Sequence, residues 1–346
     1  MELRLGRPGV RLKALRCSRT GRGGRGLAGL AFMAWALVVT GLGCAVFPAG
    51  DERPKGEFSG PRVLQTIRDW KVRMGADGDA CPSVPDLLGP PLRAMGASIE
   101  PKTAADFADS DGAAVSASSA ATVAILKGTS ADPILLIAPY TENCPDPEKD
   151  LARVGSAAFL LELGRVLSKR PKPYSIWLVF IRETGRESKS TSLEDSPQPT
   201  PWREVERLAT RFEQAGVLDR VRVAVFFDGL GDPDAAALRD SHSHPIYREV
   251  FWESARDLGA TDLFPPDAGF ESSRVGHHAL IQKGLRRTVM VTAGAGTRAP
   301  APSEAQDARG RAEAFQSVGD VSLEAISRIQ TRLARMDQFS GSSRPQ

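Results

Sequence analysis

Cysteine is scarce in this chain, with four among 346 residues, and none of them forms a C-x-x-C pair. A zinc ribbon is thereby excluded. No G-x-S-x-G elbow occurs, so a serine hydrolase has no support. No G-x-x-x-x-G-K-[ST] loop and no G-x-G-x-x-G turn follows a strand-like run, which removes the usual phosphate cradles. Internal repeats are absent. A basic face is missing too. Residues 1–26 hold eight Lys and Arg against the single acid Glu2, which leaves 37 basic against 41 acidic side chains in the rest. A mildly acidic body argues against nucleic acid as a partner.

Long apolar stretches are also rare. One stands out, Leu27 to Phe47, uncharged throughout and directly behind the basic head. About 20 apolar residues suffice to span a bilayer. Arg22 and Arg25 precede it and Asp51 and Glu52 follow it, so the positive-inside rule puts the N-terminus in the cytoplasm and the body outside. Three readings stand side by side: a retained single-pass anchor, a cleaved signal peptide, and a lipoprotein signal ending at Cys44. Each sends the body to the cell envelope or beyond. Residues 48–57 read as a polar linker, 58–337 as the folded domain, and 338–346 as a disordered tail. In an exported body Cys81 and Cys144 are permitted to form a disulfide, and whether they lie within reach stays open.

The body reads as alternating strands and helices. Continuous apolar runs at 122–126, 134–138, 175–181, 221–227 and 288–291 suit strands covered on both faces. Helical patterns fall at 155–167, 202–215, 246–258 and 323–336. Two further helices precede them: an i, i+4 stripe of Val63, Ile67, Trp70 and Met74, and a run from Asp86 to Met95 that Pro90 and Pro91 are expected to interrupt or restart. An extended segment follows at 96–100. The expected architecture is a three-layer α/β sandwich around a mostly parallel sheet. Residues 185–201 and the Ala-, Pro- and Gly-rich stretch 294–311 read as long loops.

Several segments carry a resemblance in chain order. TVAILKG and ILLIAPYT stand where zinc aminopeptidases and glutaminyl cyclases have their first core strands. GSAAFLLELGRVL is similar to their S-G-x-A-x-L-L-E-L-A-R-x-L helix. WLVFIRETGRES, AVFFDGLGD and GHHALIQKGLRR follow at matching spacing. From Phe58 to Met336 the chain thus resembles that superfamily, and the resemblance implies the zinc-exopeptidase fold.

The family's chemistry uses one or two zinc ions and a neighbouring carboxylate as general acid or base. By the resemblance, Glu183 stands at the catalytic carboxylate, and Asp228 and His277 stand at metal-ligand positions. Pro139, Ala152 and Thr184 stand where the family has ligands, Thr141 replaces an Asp, and Gly276 replaces the Asp before the His. Asp150 or Glu142 could complete a reduced set. Each survivor has an ordinary reading as well: Glu183 as a polar strand end, Asp228 as a helix or turn cap, His277 and His278 as loop histidines. The D-S-H-S-H run from Asp240 to His244 contains an H-x-H pair and reads as a solvated turn. The resulting expectation is a non-catalytic, envelope-anchored relative without a cofactor that binds a peptide or protein partner. The alternatives are an active zinc aminopeptidase or cyclase with a rearranged site, the cyclases needing a single zinc held by Asp, Glu and His, and a structural or assembly protein of the envelope.

Overall fold

The computed structural model describes residues 57–75, 84–99, 121–141, 151–183, 200–230, 236–271, 276–292 and 304–342. Two helices come first, α1 (Gly60–Gly75) and α2 (Val84–Ala94). They are followed by β1 (Ser98–Ile99), β2 (Ala121–Leu126), β3 (Ser130–Thr141) and α3 (Leu151–Ser168). Next are β4 (Tyr174–Glu183), α4 (Thr200–Gln214), a 3-10 turn (Leu218–Arg220) and β5 (Val223–Asp228). The chain continues through β6 (Arg239–Asp240), α5 (Pro245–Leu258), β7 (Phe270–Glu271), α6 (His277–Gln282), β8 (Thr288–Thr292) and α7 (Glu304–Ser342).

Six strands form one sheet in the order β1-β2-β4-β3-β5-β8. β1–β2 and β2–β4 are antiparallel, while β4–β3, β3–β5 and β5–β8 are parallel. Along β3, Ile134, Leu136 and Ala138 enter one apolar cluster, and Leu135 and Ile137 enter the other. Alternation of this kind explains the continuous apolar runs, because every position is buried on one side or the other. The first cluster is covered by α1, α2, α3, α5 and α7. The second is covered by α4, α6 and the 3-10 turn. The three-layer sandwich is as expected.

Three sequence expectations need correction. Pro90 and Pro91 do not interrupt α2, which runs through both. They remove two backbone donors, yet Leu87, Leu88 and Leu92 are buried on either side of them, and that packing holds the turn. The stretch 294–311 is not a loop throughout, since α7 already begins at Glu304. Composition misleads there because α7 is held by packing just beyond that stretch. A Cβ on Gly60 would lie 1.8 Å from the Ala312 carbonyl oxygen, and one on Gly319 would lie 2.2 Å from the Phe58 ring. Glycine at 60 lets α1 meet α7 backbone to backbone, and glycine at 319 makes room for the Phe58 ring just ahead of α1. Gly60 N–H donates to Gln316 Oε1 at 3.1 Å. Finally, the segment read as a tail from 338, beyond a domain ending at 337, is helical as far as Ser342.

Residues 1–56, which take in the predicted head, the anchor and all of the linker but its last residue, lie outside the described residues, as do Cys81 and Cys144. Among the described residues, no helix is long and apolar enough to cross a membrane.

Candidate functional site

Parallel strands β3, β4, β5 and β8 end at one edge of the sheet, where α/β folds collect functional groups. The residues singled out by sequence gather at this edge. Glu183 closes β4, with Thr141 of β3 as its register partner. Asp228 closes β5 beside Thr292 of β8. Register between β3 and β5 pairs Ile137 with Phe226, and one pleat further along sets Pro139 level with Asp228. Asp228 is partly buried and shares a face with Ala224 and Phe226, the face that α4 and α6 cover. β3 lies between β4 and β5, so the Glu183 and Asp228 backbones are two inter-strand spacings apart and offset by two residues along the strands, roughly 12 Å in all. Asp150, Glu142 and Thr184 lie outside the described residues, and Ala152 is in the first turn of α3.

His277 does not occupy a loop. It is the first residue of α6 and is wholly buried, with its ring centroid 6.0 Å from that of Phe226. Its Nε2 lies 2.9 Å from Asp240 Oδ2. Asp240 and Ser243 are themselves 1 % and 2 % exposed, so the D-S-H-S-H run is no solvated turn. Ser243 donates its hydroxyl to the same Asp240 oxygen at 2.8 Å and accepts the Met290 N–H of β8 at 2.8 Å. Leu238 N–H donates to the Thr292 carbonyl at 3.3 Å, and His244 N–H to the Thr288 carbonyl at 2.8 Å. Residues 238–244 therefore run antiparallel along the outer edge of β8 and cover its unpaired backbone groups, which is how natural sheets blunt an edge.

Burial works to raise the Asp240 pKa, but the hydrogen bond from His277, the charge of that imidazole and the hydrogen bonds from Ser243 outweigh it and hold the carboxyl below its ordinary range. The carboxylate is thus the acceptor and the imidazole Nε2–H the donor. Asp240 Oδ1 and His277 Nδ1 are buried without a hydrogen-bond partner among the described residues. His242 is exposed on residues 238–244, the strap along β8, its ring 5.2 Å from His278 and 6.5 Å from His277. Burial, and then the charges of Arg287 and Arg332, push the His244 pKa down.

Sequence reasoning missed Asp240 and Ser243. Their signal was the three-residue spacing just ahead of a helix that starts with Pro245, a spacing that lets a hydroxyl reach back to a carboxylate.

By sequence, no family model and no curated protein matches the chain. Solved structures do match. A glutaminyl cyclase from an Acidobacteriales bacterium superposes with a TM-score of 0.60 at 18% identity, over 82% of this chain and 98% of that one. The chain has the glutaminyl cyclase and zinc exopeptidase fold. A Bacteroides thetaiotaomicron leucine aminopeptidase precursor gives 0.55 at 16% identity, over 78% of this chain and 97% of that one. A Zn-dependent exopeptidase from Parabacteroides distasonis gives 0.54 at 17% identity, over 78% and 96%.

The described residues do not by themselves make up a zinc site of the kind named for the Parabacteroides exopeptidase. Pro139 offers no side-chain donor atom, and the Nε2 of His277 is committed to Asp240 in a fully buried position. Among the described residues, no group of three or more His, Cys, Asp or Glu is placed to hold a metal ion. A catalytic zinc takes three protein ligands and an open position. The arrangement that is present, an imidazole clamped between a carboxylate and a phenyl ring, suits holding β8 and α6 in place.

Proposed function

We propose that the chain is an exported domain, anchored to the membrane by residues 27–47, which keeps the zinc-exopeptidase fold without its hydrolytic chemistry and binds a peptide or protein partner at the carboxyl edge of its sheet. The observation that carries this reading is the pair Pro139 and His277. By the resemblance the first stands at a ligand position with a side chain that cannot ligate, and the second commits its Nε2 to the buried Asp240 carboxylate. The long connections after β4 and β8 leave from the same edge, where a partner would meet them.

The test is zinc content together with turnover. Full-length protein, purified without a metal-binding tag and incubated with zinc, is expected to hold far less than one equivalent by mass spectrometry. It is expected neither to cyclise N-terminal glutamine nor to release N-terminal amino acids. Near-stoichiometric zinc that disappears in Asp228→Ala, with turnover abolished by Glu183→Gln, would reverse the proposal in favour of an active enzyme with a rearranged site.

A further inference from the structure

The opposite end of the sheet carries a second feature that the fold does not require. α3 starts beyond the carboxyl end of β3 and returns the chain to the amino end of β4, so its second half lies away from Asp228 and Glu183. There, between α1, α2 and α3, is a cavity of about 480 Å³. Ligand sites commonly run from about 300 to 1,000 Å³. Trp70, Pro90, Pro91, Met95 and Leu161 supply apolar walls. Trp70 is only 7% exposed, so its ring belongs to the wall and not to the open surface.

The polar lining is unbalanced. Arg62, Arg73, Arg165 and Lys169 face two carboxylates, Asp69 and Glu162, a surplus of two positive charges. Glu162 is buried and already spoken for. It accepts from Arg165 through both oxygens at 2.6 and 2.7 Å and from Ser59 N–H at 3.0 Å, and Arg62 lies 3.7 Å away. Asp69 accepts from Gln65 at 2.8 Å. Arg73 and Lys169 are exposed at the rim and have no ion-pair partner among the described residues. Like charges gathered around an apolar recess repel one another and are relieved by an anion. Guanidinium groups pair with a carboxylate in a fork, which adds direction to that attraction.

We infer that this cavity between α1, α2 and α3 is a binding site for an organic carboxylate with an apolar body, the body on Trp70 and Met95 and the carboxylate at Arg73 and Lys169. The site is separate from the carboxyl-edge cleft and does not depend on whether that cleft is active.

A photoreactive probe of that chemistry tests the inference. 4-Benzoylphenylacetate carries one carboxylate on a benzophenone, which on irradiation inserts into nearby C–H bonds. The full-length chain in nanodiscs is irradiated with the probe, and labelled residues are mapped by mass spectrometry. Label is expected on Met95 or Trp70. The neutral methyl ester is expected to label the same residues several-fold less, because it forfeits the ion pair with the two rim cations. Arg73→Glu/Lys169→Glu, measured on protein whose thermal midpoint matches the wild type, is expected to lower labelling by the acid about tenfold and leave the ester unchanged. Ala94→Trp, which narrows the cavity without touching a charge, is expected to remove labelling by both. Label that falls elsewhere, that is equal for acid and ester, or that survives the charge reversal would overturn the inference.

Discussion

The two faces of the central sheet are built by different means. One face is an aromatic stack: Phe159 lies 5.1 Å from Phe58, 5.2 Å from Phe227 and 6.5 Å from Phe315 between ring centroids. Those four rings tie the segment leading into α1 to α3, β5 and α7, and all are at most 1% exposed. The other face is thinner, covered by α4 and the six-residue α6, and at its margin buries the polar trio Asp240, Ser243 and His277. Apolar packing is non-directional and holds a face by area. The polar trio holds by direction and fixes one segment, the strap on β8, in one register. Area should therefore dominate stability, and direction should dominate the sensitivity of one edge to pH and to single substitutions.

The largest expected effect tests the aromatic face. Phe159→Ala removes the ring that three others touch and is expected to cost about 3–5 kcal/mol, read as a lower denaturant midpoint with an unchanged slope. A loss under about 1 kcal/mol would mean that the stack is not the main support.

A comparable but repairable effect is expected on the other face. His277→Ala leaves Asp240 buried and unpaired, which costs about 3 kcal/mol in such sites. Asp240→Leu/His277→Leu removes both polar partners and is expected to recover most of the loss, because an apolar pair needs no partner. Phe159→Ala has no such rescue by a second deletion. If the double variant were as unstable as the single, the trio would be contributing by more than mutual satisfaction.

Third comes the pH dependence. The lowered His244 pKa means that the unfolded chain takes up a proton first, near its ordinary value of about 6.5. Stability is expected to be full above that value and to fall as pH drops through the folded pKa. Asp240 is lowered as well, so its contribution is full above the ordinary carboxyl value of about 3.9 and is lost as pH falls further, through its folded pKa. Urea midpoints between pH 8 and pH 3 should show both limbs, and His244→Gln should flatten the upper one alone. An unchanged upper limb in that variant would assign it to another group.

The sheet was legible in the sequence because strands buried on both faces leave a signal that needs no context, such as Val221 to Phe227. The edge residues Glu183 and Asp228 were singled out by the resemblance, and the structure sets them at the ends of two strands. The polar trio was not legible. Asp240 and Ser243 sit among histidines and serines that read as solvent-facing, and their burial is decided by α6, which approaches from 37 residues away in the case of His277. Local composition carries no trace of such a contact. α7 shows the same limit. Gly310 and Gly319 lower helix propensity, but Gly319 is required by the Phe58 ring, a residue from the other end of the domain.

That last point yields the smallest expected effect. The early turns of α7 carry an exposed i, i+4 pair, Arg309 to Glu313 at 3.2 Å, with side chains 83% and 71% exposed. If the helix exists there because α1 packs on Ala312 and Gln316 and the Phe58 ring packs on Gly319, the surface pair contributes little, and Arg309→Ala should change stability by less than about 0.5 kcal/mol. Gly319→Ala should cost several times more, since its new methyl meets the Phe58 ring inside a filled core. The order of these two effects decides between helix formation by local pairing and helix formation by tertiary packing. A larger loss from Arg309→Ala than from Gly319→Ala would mean that the local sequence, which reads as a loop, had been underestimated and that the close approach to α1 was incidental.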